Sequence, residues 1–454
     1  MRFVEKDQKK IKMTSKTANL ANTANTSVAG ENASTDTASV WRWIPSLYYS
    51  QGIPYVVVMT LSVIMYKNMG MSNSDIALYT SWLYLPFVIK PFWSPFVDMF
   101  KTKRYWIVTL ELLIGALFGV VALTIPLPGF FQATLLVFWL LAFSAATHDI
   151  STDGFYMLAL QQHQQAAFVG VRSMFFRISM LTGQGALVYL AGSLRDMTGD
   201  VRYGWIVVFG VLAVMFCSLS AYHKWALPRP DADIAHGDPN QVVATFFTIF
   251  GKFIRKKNIL LTIAFLLLYR FGEAQLVKMA PPFLLDGVDK GGLGLSTQMV
   301  GVVYGTMGMI ALTIGGLAGG ALIARFGLKR CLWPMALAIN LPHLVYVYLA
   351  FVQPQNIYLV GAAVAVEQMG YGFGFTAYVL YMIMVADGEH KTAHYAICTG
   401  FMALSMMLPG MFSGWLQAQL GYAHFFVWIC IAAVPTFIVT ALIKIDPGFG
   451  KKAE

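Results

Sequence analysis

Two aspartates one helical turn apart, Asp149 and Asp153, follow a long apolar stretch of this sequence and are well placed to do chemistry. A carboxylate at bilayer depth costs about 2.5–3.5 kcal/mol on insertion scales, so such a group is kept for a partner or a task. A spacing of four residues puts both side chains on one face of a helix. We expect this face to line a polar cavity. There each acid either binds a proton or cargo, or forms an ion pair with a neighbouring helix.

Other charged side chains within apolar stretches are few, and their signs balance. The set comprises Lys90, Glu111, Asp149, Asp153, Arg172, Arg177, Arg270, Glu273, Lys278 and Glu367. An unpaired buried charge shifts its pKa and neutralises, so this balance indicates internal compensation. Lys90 and Arg177 are the expected counter-charges of the aspartates. Arg270 and Glu273, three residues apart, either line the cavity or pair along their own helix.

These residues must be held by helices, because the sequence is that of a membrane protein. Hydrophobic residues make up 57% and charged residues only 12%, whereas a soluble domain is normally about 25% charged. Apolar blocks of about 20 residues are long enough to span a bilayer. They lie at about 44–66, 76–97, 105–125, 131–158, 170–193, 204–222, 259–285, 297–324, 331–351, 356–385, 395–417 and 421–443. We therefore predict an all-α membrane protein with twelve transmembrane helices.

The lysines and arginines predict which side each loop faces. Of the 32, 23 lie in segments on the same side as the N-terminus, four lie on the opposite side, and five lie within blocks. The positive-inside rule then places both termini in the cytoplasm. Orientation explains the net charge of +10, so no nucleic-acid partner is needed.

The chain divides into two predicted six-helix halves, 41–222 and 259–445, joined by a polar cytoplasmic linker at 223–258. Cytoplasmic tails are predicted at 1–40, which is polar and expected to be disordered, and at 446–454. A tyrosine stands three residues before a glycine in both the first and the seventh block, at Tyr49 and Tyr269. Such matches at nearly one offset favour two homologous halves, as in parallel-repeat transporters.

Short basic loops repeat at a similar offset, after the second and the eighth blocks. They resemble the loop signature of the major facilitator superfamily, in which a glycine, an acid and basic residues follow at fixed spacing. The matching residues are Asp98, Lys103 and Arg104 in the first copy, and Arg325, Gly327 and Lys329 in the second. The second copy has Ala324 where the acid belongs. We expect these loops to stabilise a closed state through charge contacts, asymmetrically between the copies.

Three motifs together resemble those of the AmpG-type muropeptide permeases of that superfamily. They are Lys90-Pro-Phe-Trp-Ser-Pro-Phe-Val-Asp98, Asp149-Ile-Ser-Thr-Asp153-Gly and Tyr269-Arg-Phe-Gly-Glu273-Ala. The acetyl-CoA transporters share the middle motif, so it does not define a substrate. The resemblance implies a central cavity and proton-driven import of anhydro-muropeptides or related amino-sugar glycans across a bacterial inner membrane. Arg270 and Glu273 replace the family's usual Lys and Asp.

The predicted function is a secondary transporter and not an enzyme, since no nucleophile motif or metal-ligand spacing appears. Asp149 and Asp153 are assigned to proton coupling, and Lys90, Arg177, Arg270, Glu273 and Glu367 to cargo binding. No cofactor or metal is expected beyond the proton gradient. The expected partners are a small glycopeptide or sugar and the bilayer, with the chain monomeric. The alternatives are a transporter of another anionic metabolite, such as an acyl-CoA or a sugar, and a non-transporting membrane sensor.

Overall fold

The computed structural model describes residues 37–231, 233–234, 239–388 and 391–450. Of the predicted tails, 1–36 and 451–454 lie outside these residues, while Thr37–Trp41 forms a short helix at the end of the first. Described residues 44–450 are helices joined by short loops, with no strand among them. Nine helices in the described residues are long and apolar enough to cross a membrane.

The first half contributes six helical passes, three of which are interrupted. They are α1 (Ile44–Val56, Val57–Leu61 and Ser62–Asn68), α2 (Asn73–Trp82 and Leu85–Phe100), α3 (Lys103–Thr124), α4 (Phe130–Ala159), α5 (Gln162–Leu181, Thr182–Leu187 and Val188–Thr198) and α6 (Val201–Ala226). Serine, threonine or aspartate side chains cap the first turns of α2, α3 and α6 by accepting from backbone N–H groups, which satisfies donors that a helix start leaves open.

The second half repeats the arrangement. It contains α7 (Ile259–Leu268 and Phe271–Leu285), α8 (Thr297–Val300, Gly301–Gly308 and Met309–Phe326), α9 (Leu328–Asn340 and His343–Val352), α10 (Ile357–Ala386), α11 and α12. The run Lys391–Ala432 supplies both α11 and the start of α12, because it kinks at Gly421, where φ is 70°. α12 continues as Val434–Leu442, and a linker helix, Pro239–Ile254, precedes α7.

Both α2 and α5 fall outside the nine apolar spans. They carry charged residues that the sequence analysis singled out, Lys90 on α2 and Arg172 and Arg177 on α5. The apolar block predicted at 170–193 starts late, because the helix begins at Gln162 with a polar first turn. Charged residues inside membrane helices usually face a polar interior, which we expect for these two passes.

Successive helices run antiparallel, so the bundle has two ends. The linker end holds the 227–258 segment and the turns before α3 and α9, and the far end holds the turns around Gly70, Gly199 and Gly291. Between the halves, α2 packs against α11 and α5 against α8. A side chain at Gly305 on α8 would have its Cβ only 2.0 Å from the Gln184 carbonyl oxygen of α5, so the two backbones are in direct contact there.

Three passes contain a π-helical stretch: Val57–Leu61 in α1, Thr182–Leu187 in α5 and Gly301–Gly308 in α8. The stretches of α5 and α8 pack against each other across the boundary between the halves. A π turn takes up an extra residue and is most often found near functional positions.

Candidate functional site

Asp149 lies on α4 and is held by two helices of its own half. Its carboxylate accepts a hydrogen bond from the Gln51 amide of α1 and forms an ion pair with Lys90 of α2. The Lys90 and Asp149 side chains remain 19% and 24% exposed. The structure thus pairs Asp149 with one of the two bases that the sequence analysis expected, and leaves the pair within reach of water.

Asp153, one turn further along α4, binds a different base. Arg172 of α5 donates to its carboxylate over 3.2 Å, and the two side chains are 30% and 40% exposed. The guanidinium also lies 4.8 Å from the ring centre of Tyr48 and 5.0 Å from that of Tyr156, which are cation–π distances. Both aspartates therefore sit in ion pairs within the first half, on one partly exposed surface.

A buried cluster behind this surface fixes the rotation of α4. Glu111 of α3 accepts from His223 of α6 over 2.8 Å and from Ser50 of α1 over 2.7 Å. His148 lies 3.5 Å from the same carboxylate. Because neighbouring residues on a helix point about 100° apart, drawing His148 inward turns Asp149 towards the interior between the halves. The cluster therefore has a structural role.

Arg177, the other expected counter-charge, makes no ion pair or hydrogen bond with any described residue. Its guanidinium reaches the boundary between the halves, since a Cβ at Gly316 of α8 would lie 3.3 Å from Nη2 of Arg177. Lys278 of α7 also faces the other half, where it donates to Thr80 of α2 over 2.9 Å and lies 5.5 Å from the Tyr84 ring centre. Two cations without a described carboxylate partner thus face the space between the halves.

Arg270 stands where α7 is broken, between Leu268 and Phe271. It donates to the Tyr371 hydroxyl of α10 and lies 4.7 Å from the Phe375 ring centre. The break exposes backbone carbonyls that lipid cannot satisfy. The Thr436 hydroxyl of α12 donates to two of them, those of Leu268 and Tyr269, over 3.2 and 3.1 Å.

Glu273, one turn after Arg270, pairs with a histidine rather than along its own helix. The Nε2 atom of His343 on α9 lies 3.0 Å from Oε2 of Glu273, and both side chains are 0% exposed. Glu367 of α10, 1% exposed, accepts from the neighbouring Gln368 amide over 3.0 Å. Among described residues, Oε1 of Glu273, Oε1 of Glu367 and Nδ1 of His343 have no hydrogen-bond partner. The second half therefore buries two acids that are only half satisfied.

The far end is closed by an ion pair between the halves. Lys67 at the end of α1 lies 2.6 Å from Asp286 at the end of α7. Tyr422 donates to the same aspartate over 2.6 Å, and Asn73 of α2 donates to Gln417 and Tyr422 over 2.8 Å each. We call these five residues the far-end latch. It ties the first half to the second on one side of the charged residues.

The repeated loops make contacts with the linker and within their own half. The backbone N–H groups of Lys103 and Arg104 donate to Asp233 over 2.7 and 3.0 Å, and the Arg104 guanidinium donates to the carbonyls of Lys224 and Leu227. The side chain of Asp98 lies outside the part of the chain that the structure describes. In the second copy, Gly327 has φ 80°, which separates α8 from α9. Arg325 lies over the Phe326 ring and Lys329 is exposed.

Several of these residues escaped the sequence analysis. His343 and the far-end latch were not singled out, and Arg172 was not assigned to Asp153. A search of the apolar blocks for histidine as well as for charge would have found His343. Lys67 and Asp286 carry no such signal, because both lie at helix ends, where charged residues are common.

Comparison with known proteins places the chain among transporters. The model of the Major Facilitator Superfamily matches residues 48–393. The anhydromuropeptide permease of Escherichia coli K12 is 26% identical over 370 residues, which cover 79% of this chain and 70% of that one. A protein named AmpG 4 in Rickettsia conorii is 25% identical over 406 residues, covering 86% of this chain and 92% of that one.

Solved structures agree on the fold. A bacterial homologue of the lysosomal transporter Spinster, inward-facing and unoccupied, superposes with a TM-score of 0.69 at 14% identity, covering 89% of this chain and 98% of that one. A D-xylose–proton symporter superposes with a TM-score of 0.65 at 12% identity, covering 92% and 99%. The all-helical fold of a major facilitator transporter, predicted from the sequence, is thereby confirmed.

Proposed function

Because the chain belongs to the major facilitator superfamily and is an AmpG-like, multi-pass membrane transporter of small molecules, we propose that it imports anhydromuropeptides or related amino-sugar glycans, driven by a proton gradient. The names of its relatives support this cargo class. The site supports it independently, since cations face the space between the halves and muropeptides carry carboxylates.

The observation that carries the proposal is the contrast between paired and unpaired bases at the boundary of the halves. Arg177 has no described hydrogen-bond or ion-pair partner, and Lys278 contacts a hydroxyl and an aromatic ring but no carboxylate. A cation held in a low-dielectric interior gains most from an anionic ligand. Arg177 and Arg270 are therefore proposed to hold carboxylates of the cargo, with the aromatic rings beside Arg270 against its sugar rings.

Proton coupling is proposed at the aspartates. Protonation of Asp149 would remove the charge that holds Lys90, and so release that base to an anionic cargo. Binding of the cargo would in turn favour protonation, because coupling between two sites is reciprocal. Asp153 and Arg172 form a second exchangeable pair of the same kind.

The direction of transport follows from the charge bias and the latch. Placing the linker end in the cytoplasm agrees with the excess of Lys and Arg on that side. The far-end latch then closes the periplasmic side, and the partly exposed aspartates open towards the cytoplasm. Import requires the latch to open and the linker end to close in the alternate state.

The test is uptake of radiolabelled GlcNAc-anhydro-MurNAc into proteoliposomes with an imposed pH gradient. We expect accumulation that stops when the gradient is collapsed and that Asp149→Asn abolishes. Asp196→Asn, the same chemical change at an exposed residue at the end of α5, is the matched control and should transport normally. Accumulation unaffected by a collapsed gradient, or unaffected by Asp149→Asn, contradicts proton coupling at this site.

Cargo class is tested in the same vesicles by competition. Unlabelled anhydro-muropeptide should displace the label, whereas acetyl-CoA and a neutral hexose should not. Displacement by acetyl-CoA alone would replace the proposed cargo with an acyl-CoA. Absence of any uptake or counterflow by the wild type would contradict the proposed cargo.

A further inference from the structure

Three residues in the interior of the second half carry an arrangement that the proposed mechanism at Asp149 leaves unused. We infer that Glu273, His343 and Glu367 form a second proton-binding site, one that holds a single proton at neutral pH. Its place in coupling rests on the proposed function, but its existence does not. The site is supported by the burial of the two carboxyl groups, by their unsatisfied atoms and by the charges around them.

Burial and hydrogen bonding show that neither carboxylate has all of its acceptor sites filled by protein donors. Glu273 is 0% and Glu367 1% exposed. Each makes one hydrogen bond through one oxygen, to His343 and to Gln368, and leaves its other oxygen without a described partner. A carboxylate has about four acceptor sites, and an ionised one that lacks partners in the interior is far costlier than a protonated one.

The charges facing these acids do not compensate for both. The two carboxyl groups lie within electrostatic range of each other. Titratable side chains within such range, or bonded to the acids, come from four helices: Arg270 of α7, Tyr304 of α8, His343 and Tyr346 of α9, and Tyr371 of α10. Of these groups, Arg270 alone is permanently charged.

The net charge of the cluster sets the number of protons that it binds. With both glutamates ionised and His343 neutral, one arginine leaves the cluster with one net negative charge in a buried site. One proton, bound within the set Glu273, Glu367 and His343, makes the cluster neutral. A buried charge without compensation is unfavourable, so the neutral, singly protonated cluster is the stable one.

This site couples to cargo through Arg270. The guanidinium also lies within electrostatic range of Tyr55 and Tyr84 of the first half, so it faces the space in which cargo is proposed to bind. A cargo carboxylate on Arg270 would remove the compensation for the glutamates. The cluster then takes up a second proton from water, which binds a carboxylate oxygen, and a proton and an anion enter together.

Infrared spectroscopy of the full-length protein in lipid tests the site without any cargo. At about pH 7, exposed carboxyl groups are ionised, so a protonated carboxyl band reports a buried acid. We expect this band in the wild type, unchanged in Asp196→Asn and lost in both Glu367→Gln and Glu273→Gln, since either change leaves one acid against Arg270. No band in the wild type, or a band that persists in both glutamine variants, overturns the inference.

Transport assays test the coupling role and keep it distinct from the proposed cargo. With GlcNAc-anhydro-MurNAc as probe, Glu367→Gln should lose the stimulation of uptake by the pH gradient, whereas the control Asp196→Asn should keep it. Stimulation equal to that of the wild type overturns the coupling role. If the wild type fails to transport this probe while the infrared band behaves as expected, the proposed cargo is wrong and the proton site stands.

Discussion

The candidate sites in the two halves of this transporter differ in how far their charges are buried. In the first half, Asp149 and Asp153 each have a basic partner and keep 24% and 40% of their side chains exposed. In the second half, Glu273 and His343 are 0% exposed, and both buried glutamates leave an oxygen unsatisfied. Ion pairs that water still reaches can exchange a base for a ligand, whereas a buried acid with an unsatisfied oxygen is stabilised by taking up a proton. The pairs of the first half therefore suit the exchange of partners that protonation of Asp149 is proposed to trigger, and the acids of the second half suit holding a proton.

The difference begins at a matched position of the repeat. Aligning Tyr49 with Tyr269 places Ser50 of α1 opposite Arg270 of α7. Ser50 donates to Glu111 from within the helical segment Ile44–Val56, while Arg270 stands at a break between two helical segments. The serine therefore binds inside its own half, and its counterpart faces the other half.

Breaking a pair in the first half should have the largest effect. Lys90→Gln leaves Asp149 without its cation, which costs on the order of 2–3 kcal/mol for a pair this buried. Uptake should fall by at least about tenfold, and the melting temperature should drop by several degrees. The double variant Lys90→Gln/Asp149→Asn should recover most of the melting temperature, since it removes both charges. A double variant no more stable than the single one would refute the pairing.

Neutralising an acid in the second half should raise the stability of the protein. Glu367→Gln removes a buried acid with one unsatisfied oxygen, so we expect about 1–2 kcal/mol of stabilisation together with the loss of gradient-driven uptake. The melting temperature of Glu367→Gln, compared with that of the control Asp196→Asn, measures this stabilisation. A lower melting temperature than that of the control would show that Glu367 is fully satisfied, and would remove the contrast between the halves.

The smallest effect is expected at the more exposed pair. Arg172→Lys keeps the charge next to Asp153 but loses the planar contact with Tyr48 and Tyr156. We expect about 0.5–1 kcal/mol of lost stability, because solvent screens the ion pair itself. The KM for cargo should change more than kcat. Arg195→Lys, at an exposed residue of the far end, is the matched control, and equal effects in the two variants would leave Arg172 without a special role.

Much of the fold and part of the site could be predicted from residue type and spacing. Twelve apolar blocks gave the helices, because burial in lipid demands an apolar length that sequence records directly. The spacing of Asp149 and Asp153 placed both on one surface, and the balance of charges suggested Lys90 as a partner, which the ion pair with Asp149 confirms. The assigned roles in proton and cargo binding stay predictions.

What could not be predicted depends on contacts between distant segments. His343 lies 70 residues from Glu273, and a single histidine in an apolar block leaves no periodic signal. Sequence left two alternatives for Arg270 and Glu273, lining the cavity or pairing along one helix. The structure does not show the pairing, since Arg270 contacts Tyr371 beside the break in α7 and Glu273 contacts His343. Backbone irregularities of this kind depend on packing partners, such as Thr436 at the exposed carbonyls.

The π-helical stretches have a consequence for comparing this chain with its relatives. An additional residue inside a helix rotates every residue beyond it by about 100°. The π-helical stretch at Gly301–Gly308 in α8 thus sets how the far-end portion is turned relative to the part that faces Arg177. A relative without this stretch should align with a one-residue gap in the middle of a membrane helix. Gaps there, normally treated as alignment errors, would instead record which transporters share this rotation.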